Sequence, residues 1–485
     1  MRQKIGLILG PMLFIAILLV PRPEGLSPEG QRALAIAALM AVWWVTEAAH
    51  IAVTALIPLA LFPLMSVLPM VSTAKNYANP NIYLFMGGFM IAMSMQKWNL
   101  HKRLALLVIQ AIGSSPRQLM AGFMLSTAFL SMWISNTATV VMMLPIALGV
   151  IAQIDSSDQR LKKFGLVLML GIAYSASAGG VATLIGTPPN IIFAGQVQSL
   201  LPEYGEIGFV TWIQFGLPLA LGFLILIWAY LTFIVGKLPN GLTAEAEVIK
   251  KELRQLGAWS WAEKMIMVIF SLTALAWLTR TDIQIGTFNL VGWSTRFNLQ
   301  GVHDGTIAMA AALLLFVIPA NLKGKQFLLD WAWASKLPWD VLILFGGGFA
   351  LAESVKATGL AEWLGGGFIL MQGMPIVLIV LCICLGMTFL TEVTSNTATA
   401  TMVLPILAAA SVTLNIPPLL LMIPATVSAS FAFMLPVATP PNAIIFGSGK
   451  VTIPQMAKAG FALNIIGALW ITLAVFVLAR PIFNF

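Results

Sequence analysis

The sequence predicts an all-α integral membrane protein, and three observations carry that expectation. Of 485 residues, 59% are apolar and 9% charged, whereas soluble domains carry about 25% charged residues. The apolar residues come in long runs without the alternation of strands, which favours helices over a barrel. Two runs, 118–152 and 374–412, extend about 35 residues, well beyond the roughly 20 that one crossing needs, and each has Ser-Asn-Thr at its middle.

About eleven transmembrane helices are read from hydropathy, near 5–20, 33–48, 51–68, 82–96, 165–197, 209–235, 262–279, 304–320, 339–355, 417–447 and 459–479. The opening "MRQKIGLILGPMLFIAILLVPRPEG" has the basic start and apolar stretch of a secretory signal. No small-x-small cleavage pattern follows, so it reads as a retained first span.

The stretches 118–152 and 374–412 read as two re-entrant helical hairpins. "ISNTATVVMMLPI" (134–146) and "TSNTATATMVLPI" (394–406) would put bare polar groups in lipid if each lay on one straight helix. A chain that turns back at the triplet avoids this, because irregular backbone at membrane depth is tolerated inside protein or beside a water-filled cavity. Charge placement agrees. With a cytoplasmic amino terminus and re-entrant hairpins, most of the 26 Lys and Arg fall inside, among them Arg2, Lys4, Lys97, Lys102, Arg103, Arg117, Lys163 and Lys450. That is the positive-inside arrangement, and it leaves the carboxyl terminus periplasmic or extracellular. The net charge of +8 is read as orientation in membrane lipid, with no nucleic-acid partner.

The motifs recur. "LFMGGFMIAMSMQK" (84–97) matches "LFGGGFALAESVK" (344–356) at the offset of 260 that separates Asn136 from Asn396. "GTPPNIIF" (186–193) returns as "ATPPNAIIF" (438–446) at an offset of 252. An odd number of spans lies between the hairpins, so the second copy enters from the opposite face. Inverted-topology repeats of this kind mark transporters, with the site at the midplane where broken helices meet. The expected division is 1–32 for the first span and periplasmic loop, 33–235 for the first repeat, 236–261 for a cytoplasmic interfacial linker and 262–485 for the second repeat. The linker's Glu and Lys spacing, followed by Trp259 and Trp261, fits a helix lying at the interface, as does 101–113.

A helix ending at Ser-Asn-Thr exposes carbonyls, and one beginning there exposes amides at a positive dipole end. Hydroxyls and carbonyls suit a hard cation such as sodium, while amides and Asn suit a carboxylate. Pro188 and Pro440 are expected to unwind their spans and bare the preceding carbonyls. No Lys or Arg lies within the two Ser-Asn-Thr or the two Thr-Pro-Pro-Asn motifs, so a bound anion must be neutralised by dipoles, amides and co-bound cations. Coupling to sodium follows as an expectation.

Other features read as structural. Cys382 and Cys384 do not face each other on a helix and suit packing. Gly87-Gly88 and Gly346-Gly347-Gly348 suit close helix contact. "GSGK" (447–450) lacks the upstream glycine of a phosphate loop. Glu353 and Glu392 lie in or near apolar helices, where a carboxyl is costly and often functional; a proton-coupled role is the alternative, and Glu392 reads first as a hydrogen-bonded strut between parts of the fold. His50, His101 and His303 lie away from the motifs, which leaves no nucleophile, base or metal set for an enzyme.

The paired Ser-Asn-Thr hairpins, the paired Thr-Pro-Pro segments and "WWVTEAAHIAVTALIPLALFP" (43–63) together resemble the divalent anion/sodium symporter family over nearly the whole chain. The resemblance implies a homodimer with scaffold and transport domains, of elevator type. Carried over by position, it implies a first sodium site at Ser131, Ser135, Asn136 and Gly186, and a second at Thr391, Thr394, Asn396 and Ala438. Substrate carboxylates would meet Asn136, Thr137, Ser395, Asn396 and Thr397, with Thr187, Pro188, Thr439 and Pro440 closing the pocket. At Thr394 only the backbone is expected to act. Ser131 and Thr391 stand one helical turn before each triplet, as cation ligands or as donors to their own helices. The expected activity is sodium-coupled symport of C4 dicarboxylates (succinate, malate, fumarate) across the cell (inner) membrane, with one carboxylate at each tip. Sulfate, citrate and sodium-independent exchange remain open.

Overall fold

The computed structural model describes residues 2–153, 163–239, 247–285, 288–321, 326–483 and 485. These residues are helical almost throughout. One short antiparallel hairpin pairs Ile283–Ile285 with Phe288–Leu290. Six of the described helices are long and apolar enough to cross a bilayer, or seven if the bent pair Trp339–Ala357 and Leu360–Gly366 is one span. Five more apolar helices run 10–17 residues. The chain is therefore a multi-pass membrane protein.

Local sequence starts these helices. Ser27 caps Pro28–Thr46, and its side chain accepts from Gly30 N at 2.9 Å. Ser115 with Gln118 and Ser260 with Glu263 form capping boxes at the starts of Pro116–Ser131 and Trp261–Leu278. Each box satisfies amides that would otherwise be orphaned at a helix start.

Both long stretches break at the triplets. Pro116–Ser131 stops before Ser135, and Asn136–Gln153 begins inside the first triplet. Ile376–Thr391 and Asn396–Leu414 repeat the pattern. The spans at 165–197 and 417–447, expected to unwind near Pro188 and Pro440, are broken into Phe164–Gly180 with Pro188–Leu200 and Pro418–Ser428 with Pro440–Gly447. Pro188 and Pro440 are the first residues of new helices, and the unwound backbone precedes them. Proline suits that position because its missing N–H is not needed there and its φ is already helical.

Glycines let helices touch backbone to backbone. A Cβ on Gly87 would stand 2.6 Å from the Ala308 carbonyl carbon, and one on Gly347 2.4 Å from the Ala55 oxygen. These are the close packing contacts expected of the Gly87 and Gly347 clusters.

The two segments expected at the interface, 101–113 and the linker, dock on one another. Residues 240–246 of the linker lie outside the described set. Helices Leu100–Ile112 and Glu247–Leu256 pack together, and Lys102 pairs with Glu252 at 2.6 Å. Arg103 is buried, with Nε 2.6 Å from Glu263 Oε1. Its Nη1 and Nη2 donate to the carbonyls of Gly257 and Leu256 at 3.0 and 3.1 Å, and Trp259 covers the guanidinium at 5.0 Å. Nearby, Lys97 donates to Asp330 at 2.7 Å, and this hydrogen bond holds the Asp330 carboxyl below its usual range.

Removing one partner of a buried pair strands the other and costs about 3–5 kcal/mol. Arg103→Ala is expected to lower the melting temperature of the detergent-purified protein by several degrees, read by tryptophan fluorescence. The Lys102→Ala change, at a half-buried pair still reached by solvent, should move it by no more than about one degree.

Candidate functional site

The first break gathers oxygen atoms. Ser131, fully buried on the last turn of Pro116–Ser131, places Oγ 2.5 Å from Asn136 Oδ1 and 2.8 Å from the Ala176 carbonyl oxygen. A hydroxyl carries one proton, so it can serve only one of these acceptors at a time. The excess of acceptors over protons is the character of a cation site. Gly180 belongs to the same spot. A Cβ there would lie 2.6 Å from Asn136 Oδ1 and 3.1 Å from the Gly186 carbonyl oxygen. Ser131, Asn136, Gly186 and Ala176 therefore converge.

The second break repeats this geometry. Thr391 Oγ1, also fully buried, lies 2.6 Å from Asn396 Oδ1 and 2.9 Å from the Ala429 carbonyl oxygen. Thr394 is different. Its hydroxyl donates to Leu390 O at 2.7 Å and meets Thr399 Oγ1 at 2.6 Å, so its side chain is occupied and only its backbone remains free to act.

The unwound loops are braced by the Asn of each Thr-Pro-Pro-Asn motif. Asn190 Nδ2 donates to the carbonyls of Gly180, Val181 and Thr183 at 3.3, 3.2 and 2.7 Å. Asn442 Nδ2 does the same for Ala432 and Leu435, both at 3.1 Å. Thr183 Oγ1 donates to Met132 O at 2.5 Å, tying the first loop to its break.

The remaining residues sit at helix starts. Ser135 Oγ accepts from Ala138 N at 3.3 Å, half-buried Thr137 lies in the first turn of Asn136–Gln153, and half-buried Ser395 is the N-cap of Asn396–Leu414. Thr397 is buried, as is Ala438, whose N–H donates to Leu435 O at 3.2 Å. Pro188 and Pro440 each open a helix after Thr187 and Thr439. Thr439 Oγ1 accepts from Asn442 N at 3.3 Å, whereas Thr187 Oγ1 meets Ser430 Oγ at 3.3 Å across the two halves of the chain.

Cross-packing brings the motifs together. The helix Asn136–Gln153 packs on Pro440–Gly447, and Asn396–Leu414 packs on Pro188–Leu200. Each Ser-Asn-Thr helix thus leans on the Thr-Pro-Pro helix of the other half. Two helix N-termini with their unpaired amides, which favour an anion, lie next to two oxygen clusters, which favour cations.

Sequence reasoning missed Ala176, Ala429 and Ser430. A backbone carbonyl has no side-chain signature, but one signal was present. Ser-Ala-Ser occurs at 175–177 and again at 428–430, and its central carbonyl faces the hydroxyl in both halves.

Apolar helices broken in pairs at polar, oxygen-rich loops define a membrane transporter, not an enzyme. The family model described as "Sodium:sulfate symporter transmembrane region" matches residues 2–483. The chain belongs to that family, the divalent anion/sodium symporters. It is 46% identical over 492 residues to the sodium-dependent dicarboxylate transporter SdcS of Staphylococcus saprophyticus, covering 99% of this chain and 92% of that one. It is also 46% identical over 487 residues to the SdcS of Staphylococcus aureus strain MW2, covering 98% and 91%. Among solved structures, MtrF of Neisseria gonorrhoeae aligns with a TM-score of 0.56 at 15% identity, covering 99% of this chain and 96% of that chain. The YdaH transporter of Alcanivorax borkumensis aligns with a TM-score of 0.57 at 13% identity, covering 84% and 87%. These two are likenesses of fold.

Gly180→Ala would push a methyl group into Asn136 Oδ1, and transport is expected to fall at least about tenfold, the loss that a misplaced binding group brings. Gly386→Ala, where a Cβ meets nothing within 4 Å, should transport like wild type. Uptake normalised to purified protein checks both.

Proposed function

We propose that this chain is a sodium-coupled symporter for C4 dicarboxylates such as succinate, malate and fumarate. The observation that carries the reading is the pair of matched oxygen clusters, Ser131–Asn136–Ala176 and Thr391–Asn396–Ala429, each next to a helix N-terminus. Unwound carbonyls and helix ends hold sodium in broken-helix transporters, and half-helix N-termini face the carboxylate. The naming of 46%-identical relatives as sodium-dependent dicarboxylate transporters supports both the cation and the substrate class.

In this reading one sodium ion is held by Ser131, Ser135, Asn136, Gly186 and the Ala176 carbonyl. A second is held by Thr391, Thr394 through its backbone, Asn396, Ala438 and the Ala429 carbonyl. One substrate carboxylate meets Asn136 and Thr137, and the other meets Ser395, Asn396 and Thr397. Thr187, Pro188, Thr439 and Pro440 close the pocket. Two tips separated by a chamber suit two carboxylates better than one compact sulfate.

The same reading takes 33–235 and 262–485 as inverted repeats with re-entrant hairpins at 118–152 and 374–412, joined by the linker 236–261 and preceded by the segment 1–32. It counts about eleven spans. The amino terminus is cytoplasmic and the carboxyl terminus lies outside. Two protomers in the cell membrane each move a transport domain past a scaffold domain as an elevator. Supporting this are the recurrence of four motifs in order and the inside bias of Lys and Arg.

Radiolabelled succinate uptake into empty proteoliposomes tests the function. An inward sodium gradient should drive accumulation, and potassium in its place should abolish it. Uptake confined to vesicles preloaded with succinate would make the protein an exchanger, and stronger competition by sulfate than by fumarate would change the substrate class. Asn136→Ala and Asn396→Ala should each abolish accumulation while leaving the elution volume on size exclusion unchanged.

A further inference from the structure

Among the described residues Glu392 is the buried charged side chain beside the second break, where the other charge, Arg2, is exposed and donates to Val393 O at 3.0 Å, and the structure surrounds Glu392 with donors. It follows Thr391 directly, is 3% exposed, and accepts from Phe433 N at 2.7 Å, Met434 N at 2.9 Å and Asn464 Nδ2 at 2.8 Å on Oε1, and from Leu435 N at 3.0 Å on Oε2. Every one of these partners is a donor, which is what a carboxylate requires. Among the described residues no ion pair engages it. Successive backbone amides form an anion nest, and here the nest is the unwound loop that carries the Ala429 and Ala438 carbonyls.

Stability alone does not explain this placement. Glu392 caps the C-terminal end of Ile376–Thr391, where the helix dipole is already negative and a carboxylate is unfavourable. The first break lacks the charge. The position 260 residues earlier is Met132, and Ala182 N in the corresponding loop turns back on Gly179 O at 3.0 Å instead.

We infer that Glu392 makes the two cation sites unequal: its fixed negative charge, held by the nest of amides 433–435 behind the second break, strengthens cation binding there, while the first site binds through neutral oxygens alone. The second site then fills first as sodium rises. Glu392 acts as a positioning and electrostatic residue without itself ligating the ion. This rests on the proposed cation site at Thr391, Asn396 and Ala429.

The test is sodium-dependent thermal stabilisation of the purified protein, with potassium chloride keeping ionic strength constant. Glu392→Gln should raise the sodium concentration for half-maximal stabilisation about tenfold, as expected for one buried charge acting at short range. Succinate stabilisation at saturating sodium should stay near wild type. Asn464→Ala removes one donor and keeps the charge. It should lower the sodium-free melting temperature but leave the sodium midpoint within about twofold. An unchanged midpoint in Glu392→Gln, or equal shifts in both variants, would overturn the inference while leaving the cation sites standing. No sodium effect on wild type would remove the sites and the inference together. If Glu392→Gln does not fold, Asn464→Lys sets an ammonium against the carboxylate while its three amide bonds remain. The same rise is expected, and an unchanged midpoint counts against the idea.

Discussion

One hydroxyl proton set among competing oxygens is the constraint on which the rest of this structure depends. Ser131 and Thr391 each face an amide oxygen and a backbone carbonyl at 2.5–2.9 Å. Oxygens that close repel unless a proton or a cation stands between them. A fold that gathers them in both halves has spent backbone order to do so. Four apolar segments are interrupted, and each interruption exposes carbonyls and amides that a continuous helix would have satisfied.

The cost is met locally. Asn190 and Asn442 each cross-brace the carbonyls of the loop just before their helix, and Tyr174 OH donates to Phe433 O at 2.8 Å from the facing helix. Net contributions near 1 kcal/mol per hydrogen bond are small singly. What matters more is that leaving these buried groups unpaired would cost more than the bonds contribute. The loops keep their unwound course because their polar groups have no better alternative.

Much of this was legible in the sequence. Both triplets mark breaks because Ser, Asn and Thr serve helix starts and are costly in lipid, and the structure begins helices at Asn136 and Asn396. Convergence of Ser131, Asn136 and Gly186 was implied by the family resemblance and not by the motifs alone. Two things were harder to see. Proline announces unwound backbone before it, but not that a new helix begins at Pro188 and Pro440 themselves. Main-chain carbonyls such as those of Ala176 and Ala429 carry no chemistry in their letters, so only the recurrence of Ser-Ala-Ser points to them. Contacts that cross between halves, such as Thr187 with Ser430, depend on packing that one-dimensional periodicity does not encode.

The exchange of walls between halves has a consequence for biosynthesis. Asn136–Gln153 rests on Pro440–Gly447, and Pro188–Leu200 on Asn396–Leu414. Translation proceeds at about 5–20 residues per second, so the first polar tip waits roughly 15–60 s for its partner wall to leave the ribosome. During that interval the polar groups of the first break lack the helix that packs on them in the folded chain. Membrane insertion of this chain must therefore shelter an unfinished half until the second arrives.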